Sequence, residues 1–228
     1  MSNKIPWNKG KTKHDNPILL KVAEQRRAVN NFSQWYKKRR ATIHYVKMRP
    51  SADYAELYGA ILGDGCIERY ARTERLIISF NSAEVDHIAH IKKLMEKIFK
   101  KEAKTRHRKH SKCTDVYIYQ KYISERIDFA TGIKCNHPLL IPEWIKNKKT
   151  YTVRCMKGLF EADGSWVIDK KYNTNVISLK SASPTLLNDV YTILIGFGFH
   201  AKLHSRDVRL AQRKEVEIFA KLIKFRQY

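Results

Sequence analysis

Two aspartates, Asp64 and Asp163, end two copies of one short stretch: Leu57-Tyr58-Gly59-Ala60-Ile61-Leu62-Gly63-Asp64-Gly65 and Met156-Lys157-Gly158-Leu159-Phe160-Glu161-Ala162-Asp163-Gly164. Each copy is an apolar helical run ending in Asp-Gly. Small residues recur four positions apart, Gly59 with Gly63 and Gly158 with Ala162, giving each helix a smooth stripe along which two such helices can cross closely. Paired in this way, the two carboxylates arrive together at helix C-termini. There the macrodipole and the like-charged twin both disfavour them. Something positive should lie between them, and magnesium, a hard cation that accepts carboxylate and phosphate oxygens together, is the natural candidate. One isolated Asp-Gly reads more simply as a turn after a buried helix, but two matching copies reverse that preference. Gly65 and Gly164 are expected in the left-handed conformation that often follows a helix end.

The copies lie 99 residues apart, and the same interval carries Ile78-Ser79-Phe80-Asn81-Ser82-Ala83 onto Ile177-Ser178-Leu179-Lys180-Ser181-Ala182. The chain is a tandem pseudo-repeat. Over residues 53–228 it resembles a single-chain LAGLIDADG homing endonuclease, whose nine-residue signature matches residues 57–65 and 156–164. The resemblance implies an α+β fold of two pseudo-symmetric αββαββα halves, with the signature helices at their interface and the strands forming an antiparallel β saddle on the DNA major groove. It implies a magnesium-dependent DNA endonuclease, with manganese able to substitute. Such an enzyme makes double-strand breaks in a long target and leaves short 3′ overhangs, one chain acting as a pseudo-dimer. Asp64 and Asp163, with Gly63 and Ala162 before them, would hold the metal. Lys180 matches the position of the family's active-site basic residue, and Asn81 is its counterpart by repeat interval, which makes the two strands' cleavage unequal. An intron RNA maturase, or a non-catalytic sequence-specific DNA-binding protein of the same fold, is the alternative; the presence of both aspartates favours the nuclease.

Composition points the same way. The 228 residues include 45 Lys and Arg against 22 Asp and Glu, for a net charge of +23, and 43% are hydrophobic, enough for a real core. Such an excess calls for a polyanionic partner. Without a long apolar run or secretion signal, that partner is expected to be double-stranded DNA rather than a membrane, and the protein intracellular. Cys66, Cys113, Cys135 and Cys155 form no C-x-x-C pair and read as reduced. His107, His110 and Cys113 lack a convincing fourth zinc ligand.

Four segments position this chemistry. Residues 1–50 form a basic arm with thirteen Lys and Arg against Asp15 and Glu24. Ile18, Val22, Val29, Phe32 and Tyr36 predict a helix over 17–40. Before it, Pro6-Trp7-Asn8-Lys9-Gly10-Lys11 is similar to accessory DNA-binding modules of homing nucleases, so Lys9 and Lys11 are candidate contacts. The first half spans 51–132, a linker 133–150 and the second half 151–228. The first half's hairpins offer Arg69, Arg72, Arg75, Arg106, Arg108, Lys109 and Lys112 to phosphates or bases. Tyr117 and Tyr119 share one strand face. The second half offers Lys170, Lys171, Lys202, Arg206, Arg209 and Arg213.

Overall fold

The computed structural model describes residues 8–28, 46–134, 137–169, 171 and 174–226. The chain divides into two compact units, residues 1–46 and 47–228. In the first unit the Lys11 amide donates to the Asn8 carbonyl at 3.1 Å, closing a turn around Gly10. Gly10 has φ +78°, a conformation glycine adopts without strain. Asn16 Oδ1 then accepts from the amides of Ile18 (2.9 Å) and Leu19 (3.3 Å), capping helix α1 (Pro17–Ala28). The predicted helix over 17–40 is met to Ala28, and its remainder lies outside the described residues.

The second unit carries the repeat. Its first half runs α2 (Ala52–Asp64), β1 (Gly65–Arg69), β2 (Glu74–Asn81), α3 (Val85–Phe99), β3 (Lys104–His107), β4 (Cys113–Gln120) and α4 (Ile123–Ile127). After the linker helix α5 (Glu143–Lys146), the second half runs α6 (Lys149–Asp163), β5 (Gly164–Asp169), β6 (Thr174–Lys180), α7 (Pro184–Gly196), β7 (Lys202–Leu203), β8 (Asp207–Leu210) and α8 (Arg213–Ile223). Each half is therefore the expected αββαββα unit, with one four-stranded antiparallel sheet ordered β1-β2-β4-β3 or β5-β6-β8-β7.

Alternation along the strands gives each sheet two faces. Ile67, Leu76, Ile78, Val116 and Ile118 of the first sheet, and Ile177, Leu179, Val208 and Leu210 of the second, are buried against the helices. Arg75, Ser79, Tyr117 and Tyr119 alternate with them on the outer face.

Helices α2 and α6 form the central interface, and small residues permit it. A Cβ added to Gly59 would collide with the Cys155 carbonyl oxygen, and one added to Gly158 with that of Glu56. Side chains at either position would force the helices apart, an overpacking cost of about 1–3 kcal/mol. The glycines after the aspartates correct one expectation. Gly65 (φ −85°, ψ 154°) and Gly164 (φ −80°, ψ 156°) are extended, not left-handed, because each helix passes directly into a strand. Glycine is required there by space: a Cβ would meet the backbone of Ile61 or of Phe160.

One side of this interface buries charge that the repeat gives no hint of. The Glu56 side chain is fully enclosed, with Lys157 Nζ and His90 Nε2 each 2.7 Å from its Oε1 and Arg154 on its Oε2. Burial would raise its pKa, but hydrogen bonds from His90 and Lys157 outweigh that and hold it at about 2. The linker packs down, as its apolar content predicts. Ile141 and Ile145 are buried, and Trp144 stacks on Tyr54 at 4.8 Å.

Candidate metal and nucleic-acid site

The close crossing of α2 and α6 brings their last residues together. A Cβ built on Gly63 would lie 3.5 Å from the Asp163 carboxylate carbon, so the two Asp-Gly ends are neighbours at the seam between the sheets. Both aspartates reach solvent. Partial burial, then the Asp163 charge, push Asp64 up to about 6, and the Lys134 ammonium opposes them. Burial likewise raises Asp163 against Lys134.

Lys134 is the residue that sequence reasoning missed. It belongs to the linker, and its Nζ donates to the Leu62 carbonyl at 3.0 Å and to the Gly63 carbonyl. Burial lowers its pKa, while Asp163 and Asp64 raise it. Magnesium was the expected positive group beside the carboxylates, and the chain adds one of its own that no motif marks, a lysine whose charge acts on both aspartates. Its only signal was electrostatic need.

The donors suit a hard divalent cation: two carboxylates and a main-chain carbonyl that already attracts an ammonium, with no thiolate or imidazole among them. Among the described residues no group of three or more His, Cys, Asp or Glu gathers as a metal cluster. Water and phosphate oxygens would have to complete the shell.

Strand register corrects the pairing of Asn81 with Lys180. Gly65 pairs with Ile78, whereas Gly164 pairs with Leu179, because the second half's hairpin is one residue longer on each strand. One step past each pair stand Ser79 and Lys180, so Ser79 is the spatial counterpart of Lys180. Asn81 lies two residues further along β2, where its Oδ1 accepts from the Ala83 amide at 3.1 Å and shapes the turn into α3. The repeat interval aligns sequence, but the longer hairpin slides it by two positions.

The candidate DNA contacts divide by how they are held. Arg75 donates Nε and Nη2 to Glu68 at 2.9 and 2.6 Å and lies 5.7–5.8 Å from the ring centres of Tyr70, Tyr117 and Tyr119. Arg106 and Arg108 converge on Asp115, which has no exposed surface because their guanidinium groups cover it. Burial opposes its charge, but hydrogen bonds from Arg108, Arg106 and Ser79 hold its pKa at about 2. In the second sheet Arg209 pairs with Asp207 at 2.7 Å. Arg69 reaches Glu74 at 3.5 Å. Arg72, Lys109, Lys112, Lys171, Lys202 and Arg206 are exposed at strand or turn positions, and Lys9 and Lys11 are exposed in the first unit. Lys170 lies outside the described residues. Arg213 departs from the expectation: it opens α8 and lines a cavity of about 610 Å³ with Trp166 and Phe225, on the helix side of the sheet rather than its outer face.

Comparison with known proteins agrees with this geometry. Residues 152–224 match the LAGLIDADG-like domain. The homing endonuclease I-DmoI in complex with DNA and Mn superimposes with a TM-score of 0.54 at 18% identity, covering 78% of this chain and 98% of that one. This chain has the LAGLIDADG fold. The N-terminal LAGLIDADG domain of DUF199/WhiA matches equally well, with a TM-score of 0.54 at 16% identity over 78% of this chain and 86% of that one. At such identities the likeness extends to the LAGLIDADG fold alone. A curated relative, the replication factor C small subunit of Methanocaldococcus jannaschii, is 31% identical over 140 residues, 55% of this chain. The chain spans only 7% of that relative's length. No helix among the described residues is long and apolar enough to cross a membrane.

Proposed function

We propose that the protein is a site-specific, divalent-metal-dependent DNA endonuclease, with magnesium as the working metal and manganese a substitute. The observation that carries the reading is the meeting of two aspartate-ended helices, with all-oxygen donors, at the seam between two sheets whose outer faces carry arginines, joined on the first sheet by Tyr117 and Tyr119. Asp64, Asp163 and the carbonyls before them would hold the metal. When bound, it would lower the pKa of an attacking water and neutralise charge on the phosphate and the departing 3′-oxygen.

The chain's own groups do the rest. Arginines and lysines of the outer faces bind the phosphate backbone and fix the register of the duplex, while Arg and Tyr side chains on the strands reach base edges. Lys134 limits repulsion between the carboxylates and between them and the incoming phosphates. One chain supplies both halves, so it acts as a monomer, cutting both strands and leaving short 3′ overhangs. I-DmoI was solved with DNA and Mn, which supports a nucleic-acid partner and a divalent metal for this chain too.

The test is Asp163→Asn. The variant should bind a selected target duplex in calcium as the wild type does, yet make no double-strand break in magnesium. Cleavage of both strands at the wild-type rate would overturn the reading.

A further inference from the structure

The corrected register leaves the first half without a cation on β2 where the second half has Lys180, because Ser79 stands in its place. The surroundings of Ser79 supply one from elsewhere. Arg108, in the turn between β3 and β4, donates Nη2 to Ser79 Oγ at 2.9 Å, which sets a guanidinium beside the very position that Lys180 occupies in the second half. The two positions also share a carboxylate. Ser79 pairs across the ladder with Asp115, and Lys180 pairs with Asp207. Asp115 accepts from Arg108 Nε at 3.0 Å and Nη2 at 2.7 Å, and Ser79 Oγ donates to it at 2.9 Å. Nη1 of Arg108 has no partner among the described residues, and the side chain is 45% exposed. A buried carboxylate on a face that meets a polyanion needs a reason, and holding a cation in one place is such a reason.

We infer that Arg108, fixed by Asp115, is the first half's functional counterpart of Lys180, each presenting positive charge to the DNA strand cut by its own half. The inference rests on the nuclease reading. The Gly65–Ile78 pair places Ser79 one strand spacing and one residue beyond Gly65, about 5 and 3 Å respectively, and Gly65 directly follows Asp64. A guanidinium there stands at the register position of Lys180 but arrives from the turn between β3 and β4. Asp115 is a positioning residue: it never meets DNA, and its work is to hold the Arg108 fork with Nη1 outward.

Strand-specific end labelling of single-turnover cleavage tests this. The substrate is a target recovered from a plasmid library with a randomised insert cut by the wild-type protein. Arg108→Met should slow one strand tenfold or more, as loss of a preorganised charge contact does, and Lys180→Met should slow the other. Asp115→Asn should slow the same strand as Arg108→Met by a smaller factor, and Arg108→Lys should restore part of the rate. The ratio of the two strand rates within one molecule is independent of how much protein is folded, so a purely structural role for the Arg108 and Asp115 pair would leave that ratio unchanged. An unchanged ratio in Arg108→Met, or slowing of the same strand by both methionine variants, overturns the inference while leaving the nuclease intact. A wild-type protein that cuts no member of the library overturns the nuclease reading and this inference together.

Discussion

Lys134 Nζ donates to the main-chain carbonyl of Gly63, so a cation from the linker between the halves rests against the residue that precedes Asp64. It opposes the burial and the Asp163 charge that hold Asp64 up at about 6. Replacing it with a neutral side chain of similar length removes that opposition. Lys134→Met should therefore move the Asp64 titration further up in the metal-free protein, as read by carboxylate carbon NMR of labelled aspartate. An unchanged or lower value would show that Lys134 does not face the pair in solution.

Asp64 also sets a cost in stability. Its pKa is raised from 3.8 to about 6 on folding, so its contribution is fully present at low pH and is lost as pH rises through 6. Asp64→Asn removes that dependence. An unscreened shift of this size would correspond to roughly 3 kcal/mol, but solvent reaches the side chain, and about 1 kcal/mol is the expected gain. Thermal melting of metal-free protein should show a variant more stable than wild type at pH 8, the difference shrinking toward pH 4. A difference independent of pH would assign the effect to packing instead.

Much of this architecture was legible because it depends on patterns that a sequence displays. The Gly59 and Gly158 stripes announce a close helix crossing, and the alternation of Val116 and Ile118 with Tyr117 and Tyr119 declares two strand faces. What escaped depends on partners distant in sequence. Nothing local to Lys134 says that it folds back on Gly63, and nothing near Asp115 says that two arginines will cover it. The pairing of Asn81 with Lys180 failed for a further reason: one extra residue on each strand of a hairpin slides the register by two without disturbing the repeat interval on either side. The Asp-Gly pattern of Gly65 and Gly164 suggests a left-handed φ, whereas the constraint is contact with the preceding helix turn.

The buried cluster at Glu56 makes the helix interface acid-sensitive. Its pKa falls from 4.5 to about 2 on folding, so the stability it contributes is present above 4.5 and is lost as pH falls toward 2. Glu56→Gln would leave Lys157 and Arg154 without their shared carboxylate. Because both cations are partly exposed, a loss near the lower end for a broken buried pair, about 3 kcal/mol, is expected at pH 7. Chemical denaturation at pH 7 and at pH 3 would check it: the variant's deficit should shrink at the lower pH. An equal deficit at both would mean that Glu56 does not ionise in the folded state.

The first unit offers a separate test of the nucleic-acid partner. Residues 1–46 contain eleven Lys and Arg against Asp15 and Glu24, a net charge of +9. If this arm lies along DNA, each phosphate it neutralises contributes about 0.9 to the slope of log affinity against log salt. Deleting residues 1–46 should therefore flatten that slope by several units. Cleavage of the target at low salt should persist, because both aspartates, Lys134 and the two sheets belong to the second unit. Fluorescence anisotropy with a labelled target duplex in calcium, over roughly 50 to 200 mM salt, measures the slope directly. A slope unchanged by the deletion would place the arm off the DNA, and lost cleavage at low salt would show that the second unit needs the first.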